Sequence, residues 1–299
     1  MVERADAMVK RRMLARRAGD LTINWILRSE DPRQFQYPQL YLSHISEWIR
    51  QTEVKVTIIK SLEKGNDAAG IRFQTLLDEI ASSLPFAPLS LAREAGVLAD
   101  SVLGRTDVVA YSTWAADVGF HFFVGSSLGH KGRLLYSILR FSRAHSYLEL
   151  GTAYGMSALV AARTLQMIGP GGSVTTVEAL QQQYDIATSI LRSRLGEMVD
   201  WRLGYSKQCL EELSREGKSF DFLFHDAAHS YDDYINDFAL AEPMLKTGAV
   251  CLIDDIRWDD SRYPTNSGRC YDGWKKVASH HRVIAAAELD GSMGILLLR

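Results

Sequence analysis

Near the middle of the chain, the stretch YLELGTAYG at residues 147–155 is followed by an apolar run at 156–165. Residues 147–150 are predicted to form a short buried strand, 151–155 a tight loop, and the apolar run a helix that begins where the loop ends. The two glycines allow backbone and ligand to approach closely, and the free N–H groups of a helix start favour electronegative groups. This order of strand, glycine turn and helix start predicts a nucleotide-binding site.

An acidic residue, Glu149, precedes the first glycine of this stretch. The spacing is Glu-x-Gly-x-x-x-Gly, whereas dinucleotide-binding folds carry Gly-x-Gly-x-x-Gly. A carboxylate at this position would repel a pyrophosphate, but it would attract the ammonium group of an amino-acid-like ligand. The alternative is that the glycines form an ordinary turn between a strand and a helix, with no ligand.

This stretch resembles the first motif of class I S-adenosylmethionine-dependent methyltransferases. The segment before it, a glycine loop at 125–132 and a helix at 133–141, resembles the corresponding segment of catechol-type and caffeoyl-type O-methyltransferases. The resemblance implies that S-adenosylmethionine is the cofactor. The cofactor-binding residues that it implies are Glu149, Gly151, Thr152, Ala153, Gly155, Ser157, Glu178, Ala179, Gly204, Ser206 and Asp226.

The rest of the chain after residue 147 alternates strands with helices. Further strands are predicted at 173–177, 199–203, 220–224 and 249–253, and a hairpin at 283–298. The helix before the 249–253 strand is predicted to run through Leu245, with Gly248 as its cap. The expected fold is α/β, a Rossmann-like, doubly wound, mostly parallel seven-stranded sheet with an antiparallel last strand.

The first part of the chain differs in composition. Residues 1–105 show helical periodicity and few strand signals, which predicts an N-terminal helical extension before a methyltransferase domain at 106–299. The aromatic and aliphatic stripes of this extension favour a subunit contact, and hence a homo-oligomer, or a cover over the substrate pocket. Acceptor specificity is expected to lie in loops at 110–130 and 256–268.

Composition argues against several classes of protein. A net charge of −2 supplies no field for capturing nucleic acid. No apolar run reaches membrane-spanning length, and the first twenty residues lack the apolar segment of a signal peptide, so we expect a cytoplasmic protein without a membrane partner. The three cysteines lack Cys-x-x-Cys spacing, which suggests neither a disulfide framework nor a zinc site.

Acidic residues follow several of the predicted strands. The carboxyl ends of parallel strands meet along one crevice, so Glu178, Asp226, Asp254 and Asp255 should lie around one cleft with Glu149. Three aspartates in one cleft would repel one another unless a cation neutralised them, and a hard divalent ion such as Mg2+ suits carboxylate ligands. Glu178 is placed to accept the ribose hydroxyls of a nucleoside. The alternative for the aspartates is a set of turn residues and helix caps.

Residues 220–258 resemble cation-dependent small-molecule O-methyltransferases. The resemblance implies that Asp226, Asp254 and Asp255 hold the metal, with the Asp-Asp pair of the branch that acts on sugars and antibiotic scaffolds. It also places His229 where catechol enzymes carry a basic lysine, so His229 and Asp226 are the predicted catalytic residues, with His229 accepting a proton near neutral pH. A purely structural histidine is the alternative. His225 is expected to point to the other side of the strand.

The leading hypothesis is methyl transfer from S-adenosylmethionine to a hydroxyl oxygen of a small or natural-product-like molecule, assisted by a divalent cation. One alternative is a metal-independent methyltransferase acting on nitrogen, a carboxylate or a polyketide. A second alternative is a non-catalytic scaffold that binds the cofactor.

Overall fold

A computed structural model gives the structure of residues 54–60, 68–82, 91, 94, 98, 129–257 and 269–299. Most of the predicted helical extension, nearly all of the loop at 110–130 and most of the loop at 256–268 lie outside these residues. Their predicted roles therefore stay predictions. Among the described residues, no helix combines the length and the apolar character that crossing a membrane would require.

The described residues form one mixed sheet of eight strands. The strands are β1 (Val56–Lys60), β2 (Ser146–Leu150), β3 (Ser173–Glu178), β4 (Val199–Leu203), β5 (Phe220–His225), β6 (Leu245–Ile253), β7 (Val283–Leu289) and β8 (Met293–Leu298). Their spatial order is β1-β7-β8-β6-β5-β2-β3-β4. Strands β2 to β6 are parallel, β8 is antiparallel to both β6 and β7, and β1 is antiparallel to β7.

Helices cover both faces of this sheet. They are α1 (Ala68–Ser82), α2 (Gly129–Ser142), α3 (Met156–Ile168), α4 (Gln181–Leu195), α5 (Ser206–Arg215), α6 (Tyr231–Ala241) and α7 (Cys270–Ala278). Side chains of α1 to α4 pack in one core and those of α5 to α7 in a second. Alternation along β2 serves both cores, because Tyr147 faces the first while Leu148 and Leu150 face the second. The predicted doubly wound α/β fold is confirmed.

The sheet has one strand more than the predicted seven. The additional strand, β1, comes from residues predicted to be helical, and Val56 pairs with Leu289 of β7. Its sequence, VTIIK, is rich in β-branched residues, which suit a pleated edge strand. Helix α1 also falls in the predicted extension, so the described part of that segment contains both a strand and a helix. The division of the chain near residue 105 stays a prediction.

Helix α6 ends at Ala241 rather than at the predicted Leu245. Pro243 lies in the 3-10 turn that follows. The α-helix ends before it because proline lacks an N–H donor and clashes with the preceding turn of an α-helix. Gly248 was predicted as the cap of that helix, and this prediction was wrong. It lies inside β6 with a φ of 80°, where the pairing with β5 changes register.

Helix α2 begins at Gly129, so residues 129–132 form its first turn instead of the end of the predicted loop. The helix leads into β2 through a short turn at 143–145. Its amino end therefore lies at the edge of the sheet where the parallel strands end.

Candidate active site

The loop after β2 is tied to the end of β3. The N–H groups of Gly151 and Thr152 donate to the Val177 carbonyl at 2.9 and 3.1 Å, and the Gly155 N–H donates to the Thr152 carbonyl at 2.8 Å. Gly155 has a φ of 86° and precedes the first residue of α3, whose first turn receives no hydrogen bond from a capping side chain. The N–H groups of that turn can thus donate to a ligand, and the predicted nucleotide-binding role of the loop stays a prediction.

Gly151 lies directly against the end of β5. Its φ is 96°, and a Cβ built on it would lie 1.9 Å from the carbonyl oxygen of Asp226. The Asp226 N–H donates to the Leu150 carbonyl at 2.8 Å, which holds the two strand ends together. Only glycine fits this contact, so the position depends on the absence of a side chain.

Glu178, at the end of β3, connects three segments of the site. Its Oε2 accepts from the Ala153 N–H at 2.7 Å and its Oε1 from the Leu180 N–H at 2.8 Å, and the N–H of Ala179 also contributes. The Glu178 carbonyl accepts from the Gly204 N–H at 2.8 Å, which joins the end of β4. Burial raises the pKa of Glu178. A carboxylate has about four acceptor positions, so about one remains for a ligand after these three bonds.

Ser206, which begins α5, lies two residues beyond Gly204. The Gly204 φ is 154°, and a Cβ there would lie 2.9 Å from the Cys209 sulfur. The predicted positions after β4 are thus held close to Glu178 by a short, tightly packed turn.

Glu149 lies behind the loop rather than on its open face. The side chain is fully buried, and its carboxylate accepts from the hydroxyl of Tyr147 at 3.1 Å, from that of Thr176 at 2.5 Å and from that of Ser157. The Thr152 hydroxyl lies 2.5 Å from that of Thr176. Burial raises the pKa of Glu149 to about 7. In this arrangement Glu149 holds β2, β3 and the start of α3 together, whereas the sequence pattern suggested an attraction for a ligand ammonium group.

The three aspartates predicted to bind metal come together at the ends of β5 and β6. Asp254 is fully buried, and its N–H donates to the His225 carbonyl at 2.9 Å. Asp255 has a φ of 52°, an uncommon conformation for a residue with a side chain, and such strain often occurs at functional sites. Burial and then the charge of Asp254 raise the pKa of Asp255 to about 6, and the same two causes raise that of Asp226 well above its usual value.

A lysine that sequence reasoning missed lies among these aspartates. The Lys131 Nζ is 2.5 Å from Asp254 Oδ2 and 3.4 Å from Asp255 Oδ1. Burial by itself would lower the pKa of Lys131, but the charges of Asp254, Asp255 and Asp226 outweigh it and raise that pKa above its usual range. Because α2 runs towards β2, a correct prediction of its first turn would have placed Lys131 at this edge.

His229 completes the cluster. One ligand atom from each of Asp226, His229 and Asp255 lies within 4.8 Å of the others, and His229 Nε2 is 3.7 Å from Asp255 Oδ2. The Tyr234 hydroxyl is 2.8 Å from the Asp254 carbonyl and 3.4 Å from His229 Nδ1. A carbonyl can only accept, so the Tyr234 proton points to it. The tyrosine oxygen can then accept from Nδ1–H, which leaves the Nε2 lone pair towards the aspartates.

Burial lowers the pKa of His229 to about 4. The imidazole is therefore neutral from pH 6 to 8, and the protonation change near neutral pH expected from sequence is not supported. His225 lies elsewhere, as predicted. It is buried, with Nε2 3.0 Å from Asp237 Oδ2.

Comparison with known proteins agrees with this geometry. Residues 148–256 match a protein-family model described as "Methyltransferase domain". A solved structure of an O-methyltransferase from Bacillus cereus in complex with SAH is 25% identical in sequence, with a TM-score of 0.52, and covers 67% of this chain and 91% of its own. Residues 148–256 are therefore similar to a methyltransferase domain, and the fold agrees with that similarity.

Two relatives are similar in sequence to part of this chain. Caffeoyl-CoA O-methyltransferase 1 from Eucalyptus globulus is 26% identical over 134 residues, which are 44% of this chain and 52% of the relative. Catechol O-methyltransferase from Mus musculus is 28% identical over 148 residues, 48% of this chain and 51% of the relative. This chain spans about half the length of both relatives.

The matched range contains all the site residues predicted from sequence, from Glu149 to Asp255. Lys131 lies before it. The matched range thus supplies the glycine loop and the acidic cluster. The helix before it, α2, supplies the Lys131 ammonium group that lies among the aspartates.

Proposed function

We propose that this protein transfers a methyl group from S-adenosylmethionine to a hydroxyl oxygen of a small molecule. The observation that carries the proposal is the meeting of the glycine loop, Glu178 and the three aspartates at one edge of the sheet of a methyltransferase domain. The similarity of this domain to caffeoyl-CoA and catechol O-methyltransferases supports oxygen as the acceptor atom.

The cofactor would bind along the ends of β2, β3 and β4. Glu178 has about one acceptor position left for a ribose hydroxyl after its three bonds to the backbone. Gly151 leaves room for close approach, and the first turn of α3 offers N–H groups to electronegative atoms. Glu149 would act through the loop by fixing its position, since its oxygens already accept from hydroxyl groups.

A divalent cation fits the acidic cluster. Asp226 and Asp255 would hold it, because each offers a carboxylate oxygen within 4.8 Å of the other, while His229 keeps its Nε2 for a proton. Asp254 is committed elsewhere, with Oδ1 accepting from the Asp255 N–H at 2.8 Å and Oδ2 beside Lys131. A bound divalent ion such as Mg2+ would supply Lewis acidity, which lowers the pKa of a substrate hydroxyl.

The reaction requires that the hydroxyl proton leave as the new bond forms. An oxygen–carbon bond replaces the sulfur–carbon bond of the cofactor, which departs as S-adenosylhomocysteine. His229 is neutral, so its Nε2 can accept that proton, and Tyr234 holds the ring in the required tautomer.

Cofactor binding and turnover test this function separately. Isothermal titration calorimetry should detect S-adenosylmethionine binding to the protein with and without Mg2+. Release of S-adenosylhomocysteine is then measured with catechols and other hydroxyl compounds, against matched amines and carboxylic acids. We expect turnover with hydroxyl acceptors, loss of turnover in EDTA, and unchanged cofactor binding in EDTA. Full turnover in excess EDTA would favour the metal-independent alternative, and turnover of amines alone would contradict oxygen as the acceptor.

A further inference from the structure

Lys131 is held where a metal ligand set was expected. Its ammonium group has three donors and no acceptor, and Asp254 and Asp255 both lie within ion-pair distance. Asp254 is fully buried and has both oxygens occupied, one by Lys131 and one by the Asp255 N–H. Lys131 is therefore built into the acidic cluster.

Lys131 supplies positive charge that offsets the negative charges of Asp254 and Asp255. Among the residues that the structure describes, Lys131 is the only lysine or arginine that forms an ion pair with Asp254 or Asp255. A buried carboxylate without a partner is unfavourable, so Asp254 depends on this ammonium group. A divalent cation next to Asp255 would lie close to the ammonium group, and like charges at such distances repel strongly in a partly buried site.

We propose that Lys131 is the resident counter-ion of Asp254 and Asp255, and that a divalent cation binds to the cluster in competition with its ammonium group. This inference rests on the proposed function for the identity of the site. The lysine side chain is about a quarter exposed, with 24% of its surface accessible, so a flexible four-carbon stem has a route towards solvent. Lys131 thus lowers the affinity for the cation while keeping the aspartates in place without it.

The test is a titration of the full 299-residue chain with Mn2+, followed by calorimetry and by electron paramagnetic resonance of the free ion. We expect Lys131→Met to bind Mn2+ at least tenfold more tightly than the wild type. Lys131→Arg keeps the charge and should retain the weaker binding. Lys246→Met is the matched control, because Lys246 pairs with Asp221 at 3.0 Å at the opposite edge of the sheet. Its Mn2+ affinity should equal that of the wild type.

Equal or weaker Mn2+ binding by folded Lys131→Met would overturn the proposal, as would no binding by either protein. A second measurement covers a variant that fails to fold. In wild-type protein carrying 13C-labelled lysine, the Lys131 side-chain resonance should shift on titration with Mg2+. The midpoint of this shift should equal the midpoint of Mg2+ binding. Binding without such a shift would also overturn the proposal. Neither measurement uses cofactor or acceptor, so failure here leaves methyl transfer intact, and failure of cofactor binding leaves this competition standing.

Discussion

Gly151 is the position at which the site tolerates least change. A side chain there must adopt a φ of 96° and must also displace the Asp226 carbonyl, 1.9 Å from the new Cβ. We expect Gly151→Ala to lower the free energy of unfolding by about 3 kcal/mol or more, since backbone strain and overpacking add. S-adenosylmethionine binding should be lost as well. Urea unfolding and calorimetry are the measurements.

Gly171→Ala is the control for this substitution. Gly171 has a φ of 83°, but a Cβ there would meet nothing within 4 Å. This variant should lose only about 1–2 kcal/mol through its backbone conformation and should bind cofactor normally. Equal losses in the two variants would mean that the close contact with β5 does not matter.

Glu149 links stability to pH. Its pKa in the folded protein is about 7, above the usual value of 4.5, so the folded state holds the proton more tightly than the unfolded chain. Wild-type stability should therefore fall as pH rises between about 4.5 and 7, by about 3 kcal/mol from this group. Glu149→Gln removes that dependence. The free energy of unfolding of Glu149→Gln minus that of the wild type should therefore be larger at pH 8 than at pH 4.5, as measured by urea unfolding at both pH values. A difference that is constant with pH would contradict the assignment.

At the scale of elements, Glu178 couples β3 to the glycine loop and to α4. We expect Glu178→Ala to weaken S-adenosylmethionine binding by about 1–3 kcal/mol, because ribose hydroxyls lose a charged acceptor and the Ala153 N–H loses its partner. Glu178→Gln keeps one oxygen and should fall between this variant and the wild type. An unchanged dissociation constant in folded Glu178→Ala would place the ribose contact elsewhere.

The elements that sequence predicted well are those set by local patterns. Strand β2, its glycine loop and helix α3 follow from apolar periodicity and two glycines, and the rule for parallel sheets then brings Asp226 and Asp255 to one edge. Strand β1 was missed because its partner, β7, lies more than two hundred residues along the chain, and no local pattern encodes that pairing.

Two features of the site were missed for a related reason. Glu149 appeared to face a ligand, but hydroxyl groups from Tyr147, Thr176 and Ser157 enclose it, and these donors come from three different elements. Lys131 was assigned to a loop because glycines flank it, whereas packing extends α2 through them. Both features depend on contacts between elements, which spacing along one segment does not reveal.

For the whole molecule, the segments before residue 105 matter through the core that they share with the domain. Phe73, Leu76, Leu77 and Ile80 of α1 are buried in the same core as α2 and α3. Strand β1 covers the edge of β7, with reciprocal bonds between the Lys55 N–H and Asp290 Oδ1 at 2.7 Å and between the Asp290 N–H and the Lys55 carbonyl at 2.8 Å. Removing both segments would expose apolar surface and an unpaired strand edge.

A shortened protein that begins at Val108 should therefore bind a hydrophobic dye, aggregate on heating and unfold at a lower temperature than the full chain. Each buried side chain lost from α1 removes about 1.5–3 kcal/mol of burial free energy, so the domain should lose a large part of its stability. A protein that begins at Val54 keeps β1 and α1 and serves as the control. Sedimentation of the full chain and of this control separates a role in the core from a role in a subunit contact. A subunit contact made before residue 54 would be lost in the control, while the core would be kept. A shortened protein from Val108 that stays soluble, monomeric and fully active would show that neither segment is needed by the methyltransferase domain.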